Sequence, residues 1–382
     1  MAWSYRKRIK VIPGVHLNIS KRGISTSIGV KGASINFSKS GTRLNTHVLG
    51  FSNSFQLSGS NSRSKSRSNL NLSPVQPSQP NVNIPVFFED TIFSADVHEI
   101  TSQNMQGIKE AIILAQKQKA ELTADLKKIK RTLSFTKTKK ILGYLFIYGL
   151  INKNIIPQLN TDITAQQEAI DSTNDIIEKC YVNLEVDFDN DIRSKFEDVY
   201  ECFKKLTGSK KIWDITSAHF QDRVAARSSA SKLVSRKEVK FSLKSLPYIK
   251  SDYPALYLKN ANGADLYFYP TFVVMYTNDN HFGIIGIDEL KLYHSSLRFT
   301  EESEVPADTK IIDRTWAKVN KNGTRDKRFK SNYQIPVVRY GHIKMNTDTG
   351  LNEEYQFSNY ELAEQFGKAF KIYQSEFLSK VF

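Results

Sequence analysis

Few side chains in this sequence are of a type and spacing that do chemistry. Asp265 opens an apolar run, and Glu289-Leu290-Lys291 places a Glu-x-Lys triplet 24 residues further on. Two carboxylates and a lysine at the ends of paired strands hold Mg²⁺ and orient a water in metal-dependent nucleases. The competing account is a solvent-facing, charged strand end. The seven histidines are His16, His47, His98, His219, His281, His294 and His342, and none falls in an H-E-x-x-H or a Cys/His block. The two cysteines, Cys180 and Cys202, form no C-x-x-C pair. Neither a G-x-x-x-x-G-K-[ST] loop nor a helix-opening G-x-G-x-x-G occurs, so phosphate cradles of those kinds are not expected. No catalytic residue, metal ligand, cofactor or small-molecule substrate is assigned, and a non-enzyme is the expectation.

Two segments look built for contact. Residues 315–337 combine Lys318, Lys321, Arg325, Lys327, Arg328 and Lys330 with Trp316, Phe329 and Tyr333. Cations reach phosphates and rings supply stacking surfaces; the alternative is a basic hairpin whose rings plug the fold beneath it. The run Ile141–Ile151 is apolar, carries Leu142, Leu145, Phe146, Ile147 and Tyr148, and is flanked by Lys137, Lys139, Lys140 and Lys153. An apolar tip with a basic collar suits shallow membrane insertion or docking into a partner, unless the tip folds back into the core. At 11 residues it is too short to span a bilayer.

The net charge of +15 is unevenly placed. No acidic residue precedes Glu89, so residues 1–88 carry +12 and the remainder only +3. Candidate anion contacts in this basic quarter are Arg6, Lys7, Arg8, Lys10, Lys21, Arg22, Lys39 and Arg43. Such asymmetry points to nucleic acid, an anionic membrane surface or an acidic protein, against the simpler role of keeping the chain soluble. Two cysteines, no secretory signal and no spanning segment place the protein in the cytoplasm, with a peripheral membrane position as an option.

The elements that must position these residues change along the chain. Residues 1–58 alternate polar and apolar side chains, and Leu17–Gly32 repeats at Ile35–Gly50 with a shared N-x-S-K-x-G. Two hairpins in a small antiparallel meander follow, with Gly23 and Gly41 in equivalent tight turns. So thin a sheet must pack on something else. Trp3, Tyr5-Arg6-Lys7-Arg8, Lys10-Val11, Pro13-Gly14-Val15, the run Leu17–Lys21, Gly23-Ile24-Ser25, Ser27 and Gly29, then Gly32-Ala33-Ser34 and Gly41-Thr42, resemble a bacterial module, domain-of-unknown-function family four-two-three-six. The resemblance covers about the first 55 residues. It implies a bacterial or phage source and a small all-β module, and it carries no activity and no catalytic residue.

Residues 59–88 are Ser, Asn, Gln and Pro, a disordered linker by composition. In 89–208, Ile108, Ala115, Leu122 and Ile129 recur every seven residues, and so do Ile156, Ile163, Ile170, Ile177 and Leu184. The two seams predict an antiparallel helical hairpin or coiled coil, with a third helix carrying Phe188, Ile192, Phe196, Val199 and Phe203. Residues 209–382 read as strands closed by a helix near 359–379, which by architectural analogy is a pleckstrin-homology-like (PH-like) β-barrel. The fold class is thus multidomain α+β. The expected function is a non-enzymatic adaptor or scaffold that meets an anionic surface and protein partners, itself included. A nucleic-acid-binding protein using the N-terminal module and the 318–330 loop is the alternative, and a nuclease a distant third. Bacterial proteins of this mosaic build often serve stress or phage-defence systems.

Overall fold

The computed structural model describes residues 3, 14–20, 23–30, 33–38, 41–48, 51–58, 90–92, 94–95, 100–102, 105–145, 154–220, 222–228, 230 and 232–381. The linker 59–88 and most of the apolar tip lie outside them. The chain is a mixed α+β protein with several sheets, one of them curled into a half-barrel, a long helix pair and a C-terminal helix.

Five strands follow the repeat: β1 (Gly14–Ser20), β2 (Gly23–Val30), β3 (Ala33–Ser38), β4 (Gly41–Val48) and β5 (Phe51–Ser58). They form an antiparallel meander, and its first two hairpins are equivalent, Ser20 pairing with Gly23 and Ser38 with Gly41. The two glycines open β2 and β4 rather than sit inside the turns. The meander continues a larger sheet, because β1 runs parallel to β7 (Val182–Phe188), which on its other side pairs in parallel with β11 (Ile249–Ser251).

Strand β7 corrects the helical reading of this stretch. Helix α1 (Gln106–Leu145) and helix α2 (Ile155–Glu178) do form the antiparallel pair, but α2 ends before Leu184, which the seven-residue repeat had put on its seam. From Val182 the period changes to two, with Val182, Leu184 and Phe188 buried and Asn183, Glu185 and Asp187 exposed. A single heptad match is no evidence once the intervening residues alternate. Helix α3 (Asn190–Leu206) then buries Ile192, Phe196, Val199 and Phe203, as their spacing predicts, but it starts after Phe188, which the same spacing had put on this helix and which closes β7 instead.

The C-terminal half contributes two sheets. One has the order β10 (Phe241–Leu243), β12 (Leu256–Leu258), β13 (Asp265–Phe268), β14 (Phe272–Asn278), β15 (His281–Gly286). It is buried on both faces. Leu266, Phe268, Val273, Met275 and Ile285 join one core with α3 and the C-terminal helix α5 (Tyr360–Val381). Tyr267, Tyr269, Phe272, Val274 and Ile284 join a second core with Ile108, Ala111, Ile112 and Ala115 of α1 and Val15, Val182 and Leu184 of the extended sheet. Burial on both sides is why these strands read as near-continuous apolar runs.

The curled sheet is built on the long strand β18 (Gln334–Asn346). On one side it pairs with β16 (Lys291–Thr300), and on the other first with β17 (Lys310–Trp316) and then with β19 (Asn352–Phe357). Strand β8 (Ile212–Phe220) extends it from β19, and carries β9 (Lys232–Glu238), which follows the four-residue helix α4 (Arg223–Ala226), and the short β6 (Asp90–Thr91). Helix α5 lies across it and buries Phe366, Phe370, Tyr373 and Phe377.

The approach of α5 to β18 is close. A Cβ added at Gly341 would stand 2.4 Å from the Ala363 Cβ, well inside contact distance. Gly341→Val should therefore lower stability by about 1–3 kcal/mol, as overpacking does. Gly14→Ala is the control, since its Cβ would meet Asn183 O at 3.7 Å and Gly29 O at 3.9 Å, both ordinary contacts. Urea unfolding of the two variants checks this, and equal midpoints would refute the packing.

Candidate anion-binding and docking surfaces

The basic segment is a shaped loop. After β17 the chain turns back through Asn332, whose amide holds both ends: Lys318 N donates to Asn332 Oδ1 at 3.0 Å, and Asn332 Nδ2 donates to Lys318 O at 2.7 Å. Asp326, only 1% exposed, is the second anchor. Arg328 binds it through Nε at 2.9 Å and Nη2 at 2.7 Å, and Arg227 stands 3.9 Å away. The Arg328 guanidinium holds this carboxyl below the ordinary carboxylate range. Arg325 lies over the Trp316 ring, 4.6 Å from its centroid.

The structure therefore divides the candidate cations. Arg325 and Arg328 are engaged within the loop. Lys318, Lys321, Lys327 and Lys330 are exposed, and none has a carboxylate partner among the described residues. Tyr333 stands 62% exposed beside them. Of the N-terminal cations, Arg6, Lys7, Arg8, Lys10, Lys21, Arg22 and Lys39 lie outside the described residues. Arg43 is placed on β4 opposite Asn36, its side chain outside the description.

The distal end of the helix pair leaves apolar groups in solvent. Phe135, Ile141, Leu142 and Tyr144 are 70%, 59%, 45% and 63% exposed. Leu145 closes α1, and Phe146, Ile147 and Tyr148 lie outside the described residues.

The nuclease-like trio is not brought together. Asp265 starts β13 and sits in register with Tyr276, whereas Glu289 follows β15 beyond Gly286, at the other end of the same sheet. Asp265 is consumed locally, accepting from Tyr257 Oη at 2.8 Å, Lys259 Nζ at 3.0 Å and Asn260 N at 3.1 Å. Lys291 reaches Asp348 at 2.5 Å. Among the described residues no group of three or more His, Cys, Asp and Glu is placed to hold a metal ion. Cys180 and Cys202 are free, and burial pushes both thiols up, away from a reactive thiolate.

Sequence reasoning missed a buried acidic pair. Asp214 on β8 and Glu353 on β19 are both fully buried and face the same space, since Asp214 pairs with Tyr355, two residues from Glu353. The loop between β12 and β13 closes over them, and Ala261 N donates to Asp214 Oδ2 at 2.7 Å. Ser94 Oγ donates to Glu353 Oε1 at 2.6 Å and accepts from Asn352 N at 3.0 Å. This ties the chain leaving the linker onto the curled sheet. Asp214 Oδ1 and Glu353 Oε2 have no hydrogen-bond partner among the described residues. Burial, with Asp214 nearby, pushes Glu353 up to about 8, and burial raises Asp214 against the pull of its backbone donors. The available signal was an acidic residue inside an apolar strand, Trp213-Asp214-Ile215.

With the geometry established, comparison with known proteins adds one assignment. Residues 3–54 match the family model of a protein of unknown function (DUF4236). The resemblance carried by the opening residues is thereby borne out for this module. No curated protein and no solved structure matches the chain. The DUF4236 module thus comprises the meander from β1 to the middle of β5, preceded by the basic residues Arg6 to Lys10. None of the candidate loop, the helix pair or the acidic pair falls within it.

The acidic pair gives a pH signature. An ordinary glutamate titrates near 4.3, and Glu353 in the folded chain at about 8. The folded state keeps a proton that the unfolded state has lost. The contribution is full below about pH 4.3 and is lost as pH rises toward about 8. Glu353→Gln keeps the acceptor for Ser94 and removes the charge. It should melt above the parent at pH 8, with the gap closing toward about pH 4.3. A gap independent of pH would refute the raised pKa.

Proposed function

We propose that the protein is a non-enzymatic adaptor or scaffold that holds an anionic surface through its basic face and presents its helix pair to protein partners. The observation that carries this is the loop 318–330: four lysines without carboxylate partners, on a backbone fixed by Asp326 and Asn332. A fixed loop offers its charges with little ordering cost on binding. The +12 of residues 1–88 adds to the same field. The exposed apolar end of α1, with Lys137, Lys139 and Lys140 beside it, fits a membrane interface, and the favoured anionic surface is a membrane. No helix among the described residues is long and apolar enough to cross one, and the site of action is taken as the cytoplasmic face.

The curled sheet with a single C-terminal helix across it supports a PH-like assignment for residues 209–382, a fold type suited to peptides and headgroups. The buried spacing of Leu122, Ile129 and Thr136 on α1 against Gln166, Ile170 and Thr173 on α2 supports a coiled coil. Nucleic acid is the second reading, favoured by one observation: exposed Tyr333 beside Lys318 and the Trp316–Arg325 stack gives a base a ring to lie on. A role in stress or phage defence is consistent with the build of the chain and rests on no residue.

Vesicle sedimentation with phosphatidylserine-containing liposomes tests the first reading. The parent should bind, and binding should fall as salt rises. At about 1 kcal/mol per lysine near an anionic surface, changing Lys318, Lys321, Lys327 and Lys330 to Ala should weaken it on the order of a hundredfold or more. Unchanged vesicle affinity in that variant refutes the loop as the contact. Tighter retention on single-stranded DNA than on vesicles, lost with Tyr333→Ala, would select the nucleic-acid reading instead.

A further inference from the structure

The two helices of the pair divide charge between them. Between Asp125 and Asp162 there is no acidic residue, and the distal part of α1 holds Lys127, Lys128, Lys130, Arg131, Lys137, Lys139 and Lys140. Helix α2 holds Asp162, Glu168, Asp171, Asp175 and Glu178 and no lysine or arginine. Glu168, Asp171, Asp175 and Glu178 recur at spacings of three, four and three, so they form one stripe. All four are exposed, on the side away from buried Gln166, Ile170 and Thr173. On α1, Lys127, Lys128 and Arg131 are likewise exposed, away from buried Leu122, Ile129 and Thr136.

The arms do not neutralise each other. Among the described residues the only ion pair on the distal part of α1 is Lys128 with Asp125 of the same helix, at 3.5 Å, and the four acids of the stripe have none. The two charged faces also stand at the same height. Gln166 Nε2 donates to Thr136 Oγ1 at 3.1 Å, which fixes the antiparallel register. Counting away from that contact, Asp171 lies level with Arg131 and Asp175 with Lys127.

We propose that the helix pair is a self-association element in which the basic face of α1 in one copy docks on the acidic stripe of α2 in the next. Charge complementarity selects a second copy as the occupant. A polyanion laid along Lys127–Lys140 would match the basic face alone and leave the stripe's four carboxylates unmatched, whereas another copy of this chain meets each face with its opposite. The symmetry follows as well. The basic and acidic faces point to opposite sides of the pair, so a two-fold axis would set like charge on like. Unlike faces meet only head to tail, a heterologous contact that builds a ring or an open array. Phe135, exposed on the basic side next to the level of Arg131, supplies apolar surface to the same contact. This inference deepens the scaffold proposal by naming one of its protein partners.

Sedimentation velocity on the full chain tests it. The parent should exceed the 43.6 kDa monomer mass, increasingly so at higher concentration and less so in high salt. Lys127→Glu with Arg131→Glu makes the Lys127–Arg131 face net acidic, and Asp171→Lys with Asp175→Lys neutralises the stripe and sets two lysines where the basic face would dock. Each double variant alone should be monomeric while keeping the parent's helical circular dichroism, and an equimolar mixture of the two should reassemble. A parent that stays monomeric at all concentrations overturns the proposal, as does assembly unaffected by either variant. Failure of the folded variants to reassemble when mixed overturns it too. If the Lys127/Arg131 variant loses vesicle or DNA binding while the parent is monomeric, the basic face belongs to a polyanion and the proposal falls. Vesicle binding by the lysine-loop variant is read separately, so failure of self-association leaves the anionic-surface reading standing or falling by its own measurement.

Discussion

Strand β7 joins the N-terminal meander, the helix pair and α3. Its seven residues leave α2, enter α3, and pair in parallel with β1 on one side and β11 on the other. Parallel neighbours cannot be joined by a tight turn, so both partners of β7 come from distant parts of the sequence. The DUF4236 meander, with a free edge at β1, is completed by a strand from the rest of the protein. Val182 and Leu184 point into the core shared with α1, and Phe188 into the core shared with α5. One strand thereby sets the position of the N-terminal module, the root of the helix pair and the start of α3.

The other constraint is the sheet from β10 to β15, which has no polar face. Because both its faces are covered, α1 lies on one side, burying Ile108, Ala111, Ile112 and Ala115, and α3 and α5 lie on the other. Gly107 shows how tight this layer is: a Cβ there would stand 2.7 Å from Ile28 Cδ1 of the meander. Polar groups that must enter these layers are handled in two ways. Glu301 is matched by Arg236 and by Tyr340 Oη at 2.7 Å, and these donors outweigh burial to hold it below the ordinary glutamate range. Asp214 and Glu353 are left with an orphan oxygen each, and one of them keeps its proton instead.

Period and turn chemistry made much of this legible. The offset repeat gave the two hairpins, the seven-residue spacing gave the paired helices, and the aromatic spacing of α3 and α5 gave their buried faces. What failed did so for a physical reason. Leu184 matched a helical period by coincidence, and the local alternation around it was outweighed by a longer pattern. The acidic pair escaped notice because a buried carboxylate has no sequence mark beyond its apolar neighbours; only the fold reveals that β8 and β19 place two of them together. In the basic loop the residue types were visible, but not their division. That Arg325 and Arg328 serve the loop while the lysines remain open depends on Asp326 and Trp316 lying underneath, which no linear spacing records.

Charge in this protein is sorted by element rather than mixed. Ordinary surfaces intersperse the two signs, which limits long-range fields. Here the N-terminal quarter is wholly basic to Glu89, the distal half of α1 is basic, and α2 is acidic. Sorting of this kind does little for stability, since exposed pairs contribute little even when formed. It does produce fields with direction. Each field is screened within about 8–10 Å, whereas α1 alone spans about 60 Å at 1.5 Å per residue, so the root and the distal end of the helix pair lie in separate fields. The basic module also reaches the pair itself: Trp3, the first residue of the DUF4236 match, donates its backbone N–H to Asp162 Oδ1 of α2 at 3.1 Å, so the sorted charges meet where the module touches the acidic helix.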